Sequence, residues 1–404
     1  MSKKLNVAII GLGFGAEFIP IYKRHPGANM YAICQRRQSK LDQVGDAFGI
    51  DKRYTSYEEL LKDPNVDAVH INTPIQSHAS QSIAALKAGK HVACTVPMAT
   101  TVEECRQIVE LVKQTGLTYM MGETSYYNPA TVYARGRVAE GAFGRIFYAE
   151  GDYVHDMDLG FYAAYQYSGG DQWQRTASYP PMLYPTHSVG GVLGAIGGHA
   201  VSVSCIGVPD DRGDGVFDRE VSMFDNDFSN ATALFELAGG GSMRINEFRR
   251  VGYPAHIRES RFRYFGTEGS FEQTAIAALW QDRDGITDVT EEVDTKPSMD
   301  LDDPSLADVD PALRDAFVSG LAPVHDAGRL PAEFQGLPNG HEGSHHFLVD
   351  DFVTAVATRT LPPVNAWEAA RYTLPGIIAH ESALRGGERL AVPDFGDAPK
   401  GASA

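Results

Sequence analysis

Hydrophobic positions in the first third of the chain come in short unbroken runs separated by amphipathic stretches. The runs at Val7-Ala8-Ile9-Ile10, Met30-Tyr31-Ala32-Ile33-Cys34, residues 66–74, Val92-Ala93-Cys94-Thr95 and Tyr119-Met120-Met121-Gly122-Glu123 fit strands, the first of them buried on both faces of a sheet. Between them, residues 40–48, 57–61, 80–88 and 101–113 are predicted as helices; Gly89 closes the third, and Thr101 and Glu104 have capping-box spacing in the fourth. Regular β/α alternation predicts a doubly wound parallel sheet, whose ligands bind beyond the carboxyl ends of the strands. The loops at Thr73-Pro74, Val96-Pro97 and Glu123-Thr124 all fall on that edge.

From Asn128 the pattern changes to longer alternating segments. Residues 145–153, 231–237, 241–248, 261–265, 269–271 and 275–281 predict strands of an antiparallel set. Residues 282–340 are rich in Asp, Pro and Gly with weak periodicity, which predicts a long surface excursion. Helices are expected at 190–198, 347–356 and 366–384. The fold class is therefore α/β, with a dinucleotide-binding domain at 1–126 and a second domain at 127–404.

Composition narrows the partners. The 404 residues are 43% hydrophobic, as in a globular protein, and 52 acids against 35 bases give a formal charge of −17. Nucleic acids and anionic membranes need a basic field, so neither is an expected partner. The chain opens almost directly on a strand, with no signal-peptide pattern and no apolar run of about 20 residues, so a cytoplasmic location is expected. Cys34, Cys94, Cys105 and Cys205 lack zinc-type spacing and are expected to be free thiols.

The loop after the first strand, Gly11-Leu12-Gly13-Phe14-Gly15-Ala16, fits the dinucleotide fingerprint. Gly11 suits the tight turn, Gly13 the approach of a pyrophosphate, and Ala16 close packing of helix on strand. At the end of the second strand, where an acid often holds the ribose, stand Gln35-Arg36-Arg37. Gln35 suits a ribose hydroxyl. Arg36 or Arg37 suits adenine stacking or a 2′-phosphate, leaving NAD and NADP both open.

Together these segments, with Asn72-Thr73-Pro74 and His78, the Val96-Pro97 loop and the His187 segment, resemble the Gfo/Idh/MocA oxidoreductase family. The resemblance implies an N-terminal Rossmann domain and a C-terminal domain on a largely antiparallel open sheet, whose free face makes homodimers or homotetramers. The family's usual catalytic lysine in a Glu-Lys-Pro loop is replaced here by Val96. Within the family, residues 95–105, Tyr184-Pro185-Thr186-His187, Gly122-Glu123, Tyr153 and Glu247-Phe248-Arg249-Arg250 are similar to the branch of NAD-dependent glycoside hydrolases.

That branch implies transient oxidation of a sugar at C3, elimination of the aglycone, water addition and re-reduction. His187, Tyr153 and Glu123 are then the catalytic candidates, with His187 taking a hydroxyl proton near neutral pH. The cofactor-binding expectation covers Gly11, Gly13, Phe14, Gly15, Gln35, Arg36, Thr73, Pro74, His78, Val96, Pro97, Trp173 and Arg175. Arginines at 244, 249, 250, 258, 261 and 263 suggest an anionic sugar such as sulfoquinovose, or else ion pairs with acids such as Glu247 and Glu259. An ordinary sugar or inositol dehydrogenase is the alternative function, and a cofactor-bound regulator the third. His341, Glu342, His345 and His346 have partial metal-ligand spacing, but Gly340 and Gly343 oppose a helix before about Ser344. No metal is expected, and His341 is assigned to a substrate loop.

Overall fold

A computed structural model describes residues 3–252, 258–295 and 320–399. Residues 296–319 of the expected surface excursion lie outside the described residues. The chain divides into two compact units, one of residues 1–129, 294–370 and 395–404, the other of 130–293 and 371–394.

The first unit is built on six strands: β1 (Leu5–Ile10), β2 (Ala28–Cys34), β3 (Lys52–Tyr54), β4 (Ala68–Ile71), β5 (His91–Cys94) and β6 (Tyr119–Met121). Their order is β3-β2-β1-β4-β5-β6, parallel throughout, so the strand order reverses between β1 and β4. Val7, Ala8, Ile9, Val69 and Ile71 are wholly buried, which explains why these strands read as unbroken apolar runs rather than alternating ones. The helix Val102–Thr115 begins at the expected capping box: Thr101 Oγ1 accepts from the Glu104 amide at 3.2 Å, and Glu104 accepts from the Thr101 amide at 3.1 Å. Gly116 ends it at φ +67°, a left-handed cap that suits glycine.

The chain returns to this unit after residue 293, where the sequence had suggested one uninterrupted second domain. Side-chain contacts explain the return. Arg329 bonds Tyr127 and Asp350, His325 Nε2 lies 2.7 Å from the Tyr127 carbonyl, and Tyr127 donates to Asp351. The Val364 carbonyl accepts from Met121 N at 3.0 Å, so this segment also covers the free edge of β6. None of these partners is adjacent in sequence, which is why the domain pattern hides them.

The second unit carries nine strands: β7 (Ile146–Val154), β8 (Ala200–Pro209), β9 (Phe228–Leu237), β10 (Ser242–Phe248), β11 (Ser260–Gly266), β12 (Gly269–Gln273), β13 (Ala278–Asp282), β14 (Gly285–Asp288) and β15 (Leu390–Ala391). Their order is β14-β13-β12-β11-β7-β10-β9-β8-β15, antiparallel except for β7 with β10. Sequence reasoning passed over β8, although Val201, Val203 and Cys205 alternate with serines between Gly198 and Pro209.

Register fixes two chemically different faces. Glu150 pairs with Arg244 and Arg263, and Asp152 with Asn246 and Arg261, all on one face. Gly151, Tyr153, Glu247 and Phe262 take the other face, because successive strand residues alternate. The helix Thr186–Ile196 covers that second face. It starts four residues earlier than its glycine content suggested and so includes His187. Small residues allow the close approach: a Cβ on Gly151 would stand 2.5 Å from the Ser188 carbonyl oxygen, and one on Gly191 would stand 2.1 Å from the Phe262 ring. All four cysteines are buried and free. Among the described residues, no helix is long and apolar enough to cross a membrane.

Candidate functional site

In the first unit the glycine loop leaves β1 at the reversal point of the sheet. Gly11 has φ +86°, and a Cβ there would lie 2.3 Å from the Asn72 carbonyl oxygen, so no larger residue fits. A Cβ on Gly13 would meet nothing within 4 Å, so this stretch of backbone is open on its outer side, as a pyrophosphate requires. The close packing predicted for Ala16 belongs instead to Gly15, whose Cβ would stand 2.9 Å from Ile9 and 3.1 Å from Asn72. The reason is local: residues Phe14–Phe18 form a tighter 3-10 turn before the helix Ile19–Arg24, and this rotates Gly15 inward. Gln35 follows β2, its amide bonded to the Tyr54 carbonyl, and Arg36 and Arg37 are exposed beside it.

Thr73, Pro74, Val96 and Pro97 lie on the carboxyl edge, but His78 does not stand open beside them. It is 1% exposed, with Nδ1 2.8 Å from the Pro97 carbonyl oxygen and Nε2 2.8 Å from that of Thr73. Two carbonyl acceptors require both ring nitrogens to donate, so the geometry calls for an imidazolium that ties the two loops together. Burial pulls its pKa down, but Cys94 and the two carbonyls outweigh this and push it up to about 9. His78 thus positions the loops rather than touching a ligand. A histidine whose pKa is raised on folding stabilises the fold below its unfolded pKa and loses that contribution as pH rises through the folded value. Stability is expected to fall by about 3 kcal/mol between pH 6.5 and 9.5. Urea unfolding of the wild type and His78→Gln across that range checks this, and parallel pH profiles would remove His78 as the cause.

Glu123 closes β6. It is wholly buried and accepts from the Ser125 amide at 2.7 Å, which caps the turn Thr124–Tyr127. The four-residue cluster suspected around His341 resolves into two parts. The helix Ser344–Thr358 does begin where the glycines allow, with His345 in its first turn; His346 instead faces the Pro338 carbonyl at 2.9 Å. His341 precedes the helix at φ +46°, its Nδ1 2.8 Å from His345 Nε2. Glu17 on the turn after the glycine loop lies 3.7 Å from His345 Nδ1. Nothing in the sequence pattern pointed to Glu17.

In the second unit Tyr153, Tyr184 and His187 converge. The His187 ring centroid is 4.8 Å from that of Tyr153 and 5.2 Å from that of Tyr184. Tyr153 Oη lies 2.6 Å from His155 Nδ1, which is itself 3.4 Å from Glu259. Burial, with Tyr184 and Glu259 nearby, raises the Tyr153 pKa well above 10 against the pull of Arg249. Tyr153 is therefore a neutral phenol that donates or relays a proton; it does not act as a standing phenolate. His155 escaped sequence reasoning, although two-residue spacing from Tyr153 was the available signal.

Beneath this cluster Glu247 is wholly buried. It accepts from Arg249 at 2.9 Å and from the Ser188 hydroxyl, and the Arg249 guanidinium lies 5.0 Å over the Tyr153 ring. Burial raises the Glu247 pKa to about 7 despite Arg249, Ser188 and His187. Arg244 and Arg263 are on the opposite sheet face and pair with Glu150; Arg250 pairs with Asp210 and Asp214. Trp173 packs edge-on to Tyr162 against a cluster of Met157, Ala177, Val216 and Phe217, while Arg175 is exposed on the same short helix. Trp173 is partly buried against that cluster.

Residues 5–123 match a family model described as the oxidoreductase family, NAD-binding Rossmann fold. An α-N-acetylgalactosaminidase of Shewanella oneidensis is 31% identical over 198 residues, 46% of this chain. The match spans only 43% of that relative's length. A glycosyl hydrolase family 109 protein of Solibacter usitatus is 24% identical over 423 residues, covering 97% of this chain and 88% of its own. Among solved structures, levoglucosan dehydrogenase in complex with NADH superposes with a TM-score of 0.73 at 20% identity, covering 97% of this chain and 100% of that one. Over residues 5–123 the chain is similar to the Gfo/Idh/MocA oxidoreductase family, and it resembles the proteins named glycosyl hydrolase family 109.

Proposed function

We propose that the protein is a nicotinamide-dependent glycoside hydrolase that works with no net redox change. The observation that carries the reading is the Tyr153–His187 pair, backed by His155 and Glu259, in a chain with Val96 at the position where the wider family it resembles usually has a lysine. The open backbone at Gly13 and the enforced turn at Gly11 fit a dinucleotide. When bound, the cofactor supplies a reversible hydride acceptor for a sugar carbon, C3 in this scheme. Gln35 and Arg36 offer a ribose partner and a cation at the adenosine end. NAD is the expected form, and an affinity for NADP above that for NAD would revise it.

In this scheme His187 accepts the proton of the sugar hydroxyl, and Tyr153 donates a hydrogen bond to the same oxygen. The oxidised sugar has an acidic C2–H. Loss of that proton expels the aglycone from C1, water adds at C1, and the C2 proton returns; re-reduction of the C3 ketone, with His187 giving back its proton, restores the hydroxyl. Glu123, held by the Ser125 amide, is the carboxylate assigned to orient the sugar.

The described arginines weaken the case for an anionic sugar. Arg244, Arg249, Arg250 and Arg263 are neutralised by acids within the chain. A neutral glycoside, with N-acetylgalactosaminides first, is the better candidate than sulfoquinovose. The face of the large sheet that carries Glu150 and Asp152 also exposes Leu234 and Ile206, which supports a homodimer or homotetramer; a monomer in sedimentation would remove that part.

Aryl glycosides in deuterated water test the reaction, with aglycone, NADH absorbance and C2 deuterium followed together. Aglycone release with C2 deuterium and no accumulating NADH is expected. Stoichiometric NADH with the glycoside intact would establish a sugar dehydrogenase instead.

A further inference from the structure

We propose that Glu17, His341 and His345 form a binding site for one divalent transition-metal ion, with zinc as the first candidate. The three side chains each offer one ligand atom, and these atoms lie within 4.8 Å of one another. They come from two separated segments: the turn Phe14–Phe18 that follows the glycine loop, and the loop and first turn at the start of the helix Ser344–Thr358. The site is independent of the glycosidase reading.

Three features favour an ion over a simple buried polar cluster. His345 is fully buried and held between aromatic rings, 4.5 Å from Phe18 and 5.5 Å from Phe14, so its orientation is fixed before any ion arrives. Its Nδ1 is buried with no hydrogen-bond partner and faces Glu17 Oε2 across 3.7 Å, too far for a hydrogen bond. The distances also suit coordination. Two ligand atoms about 2.0–2.1 Å from a tetrahedral ion stand about 3.4 Å apart, close to the 3.7 Å between Glu17 Oε2 and His345 Nδ1; His341, whose Nδ1 stands 2.8 Å from the other ring nitrogen of His345, joins them by turning out of that contact.

The donor set decides the ion. Two imidazoles and one carboxylate suit zinc, cobalt, nickel or copper, whereas calcium and magnesium prefer oxygen shells. His341 is exposed and His345 sealed, so a fourth ligand enters from the His341 side. Three protein ligands with one open position is the arrangement of a zinc site that exchanges its fourth ligand. The ring of Phe14 meets both histidines, so an ion would also fix the turn that carries Phe14 and Glu17. The sequence hid the site because Glu17 belongs to the nucleotide-loop segment and the glycines at 340 and 343 spoil the helical spacing of the histidines.

Full-length protein stripped with a chelator is titrated with zinc chloride against a chromophoric competitor, and with cobalt chloride while visible absorbance is recorded. One tight equivalent of zinc is expected, weakened about tenfold or more in Glu17→Gln and in His341→Ala. Cobalt should give ligand-field bands that both variants lose. Both positions are partly or fully exposed, so these variants are expected to fold, which circular dichroism verifies. No tight zinc equivalent, or one whose affinity is the same in both folded variants, would overturn the site.

Discussion

His187→Ala is expected to lower turnover of an aryl glycoside by about 10³-fold while leaving dinucleotide affinity within about twofold. A hydroxyl that gives up hydride must also give up its proton, and an imidazole has the right basicity near pH 7. His187 stands in the first turn of a helix in which the next eight residues are buried, and Tyr153 and Tyr184 flank its ring, so the side chain cannot be replaced by a drifting neighbour. Tyr153→Phe should cost less, because His187 remains and only the shared hydrogen bond is lost. Comparing kcat with the cofactor dissociation constant separates the roles. Near-normal kcat in His187→Ala would take it out of the mechanism, and an equal loss of cofactor binding would make its role structural.

Glu247→Ala is expected to destabilise the second unit by about 3–5 kcal/mol, a fall in Tm of about 10 °C. Arg249 is buried, and Glu247 is its ion-pair partner at 2.9 Å; removing the carboxylate strands a guanidinium away from water. The Ser188 hydroxyl loses an acceptor in the same step. Glu247→Gln keeps the volume and one acceptor oxygen and should lose roughly half as much. Because burial lifts the Glu247 pKa to about 7, the acid is partly protonated at neutral pH. A raised carboxyl pKa means that the folded state holds an extra proton between about pH 4.5 and 7, so this group favours folding more as pH falls through that window. The Gln variant should lack that component. Thermal melts at several pH values measure both effects, and a Tm for Glu247→Ala within about a degree of wild type would show that Arg249 finds other compensation.

Much of the first unit was legible because its signals are local. Unbroken apolar runs, a capping box at Thr101 and a glycine at each forced turn depend only on neighbours within a few residues, and the parallel sheet follows from their alternation. The start of the helix at Ser344 was legible for the same reason, from the glycines before it. The second unit was less so, since β8 is short on large apolar residues and its pairing with β9 is non-local.

The sequence by itself determined the Rossmann alternation and the glycine loop after the first strand. Those rest on residue type and on periods of two and 3.6, which the chain carries openly. Only the tertiary structure decided that Arg244 and Arg263 lie on the sheet face away from Tyr153, that His78 is a buried brace, that Trp173 packs against a buried cluster, and that Glu17 meets His345. Each of these depends on strand register or on segments far apart in the chain, and such pairings are set by the packing of the whole unit, where no local rule reaches.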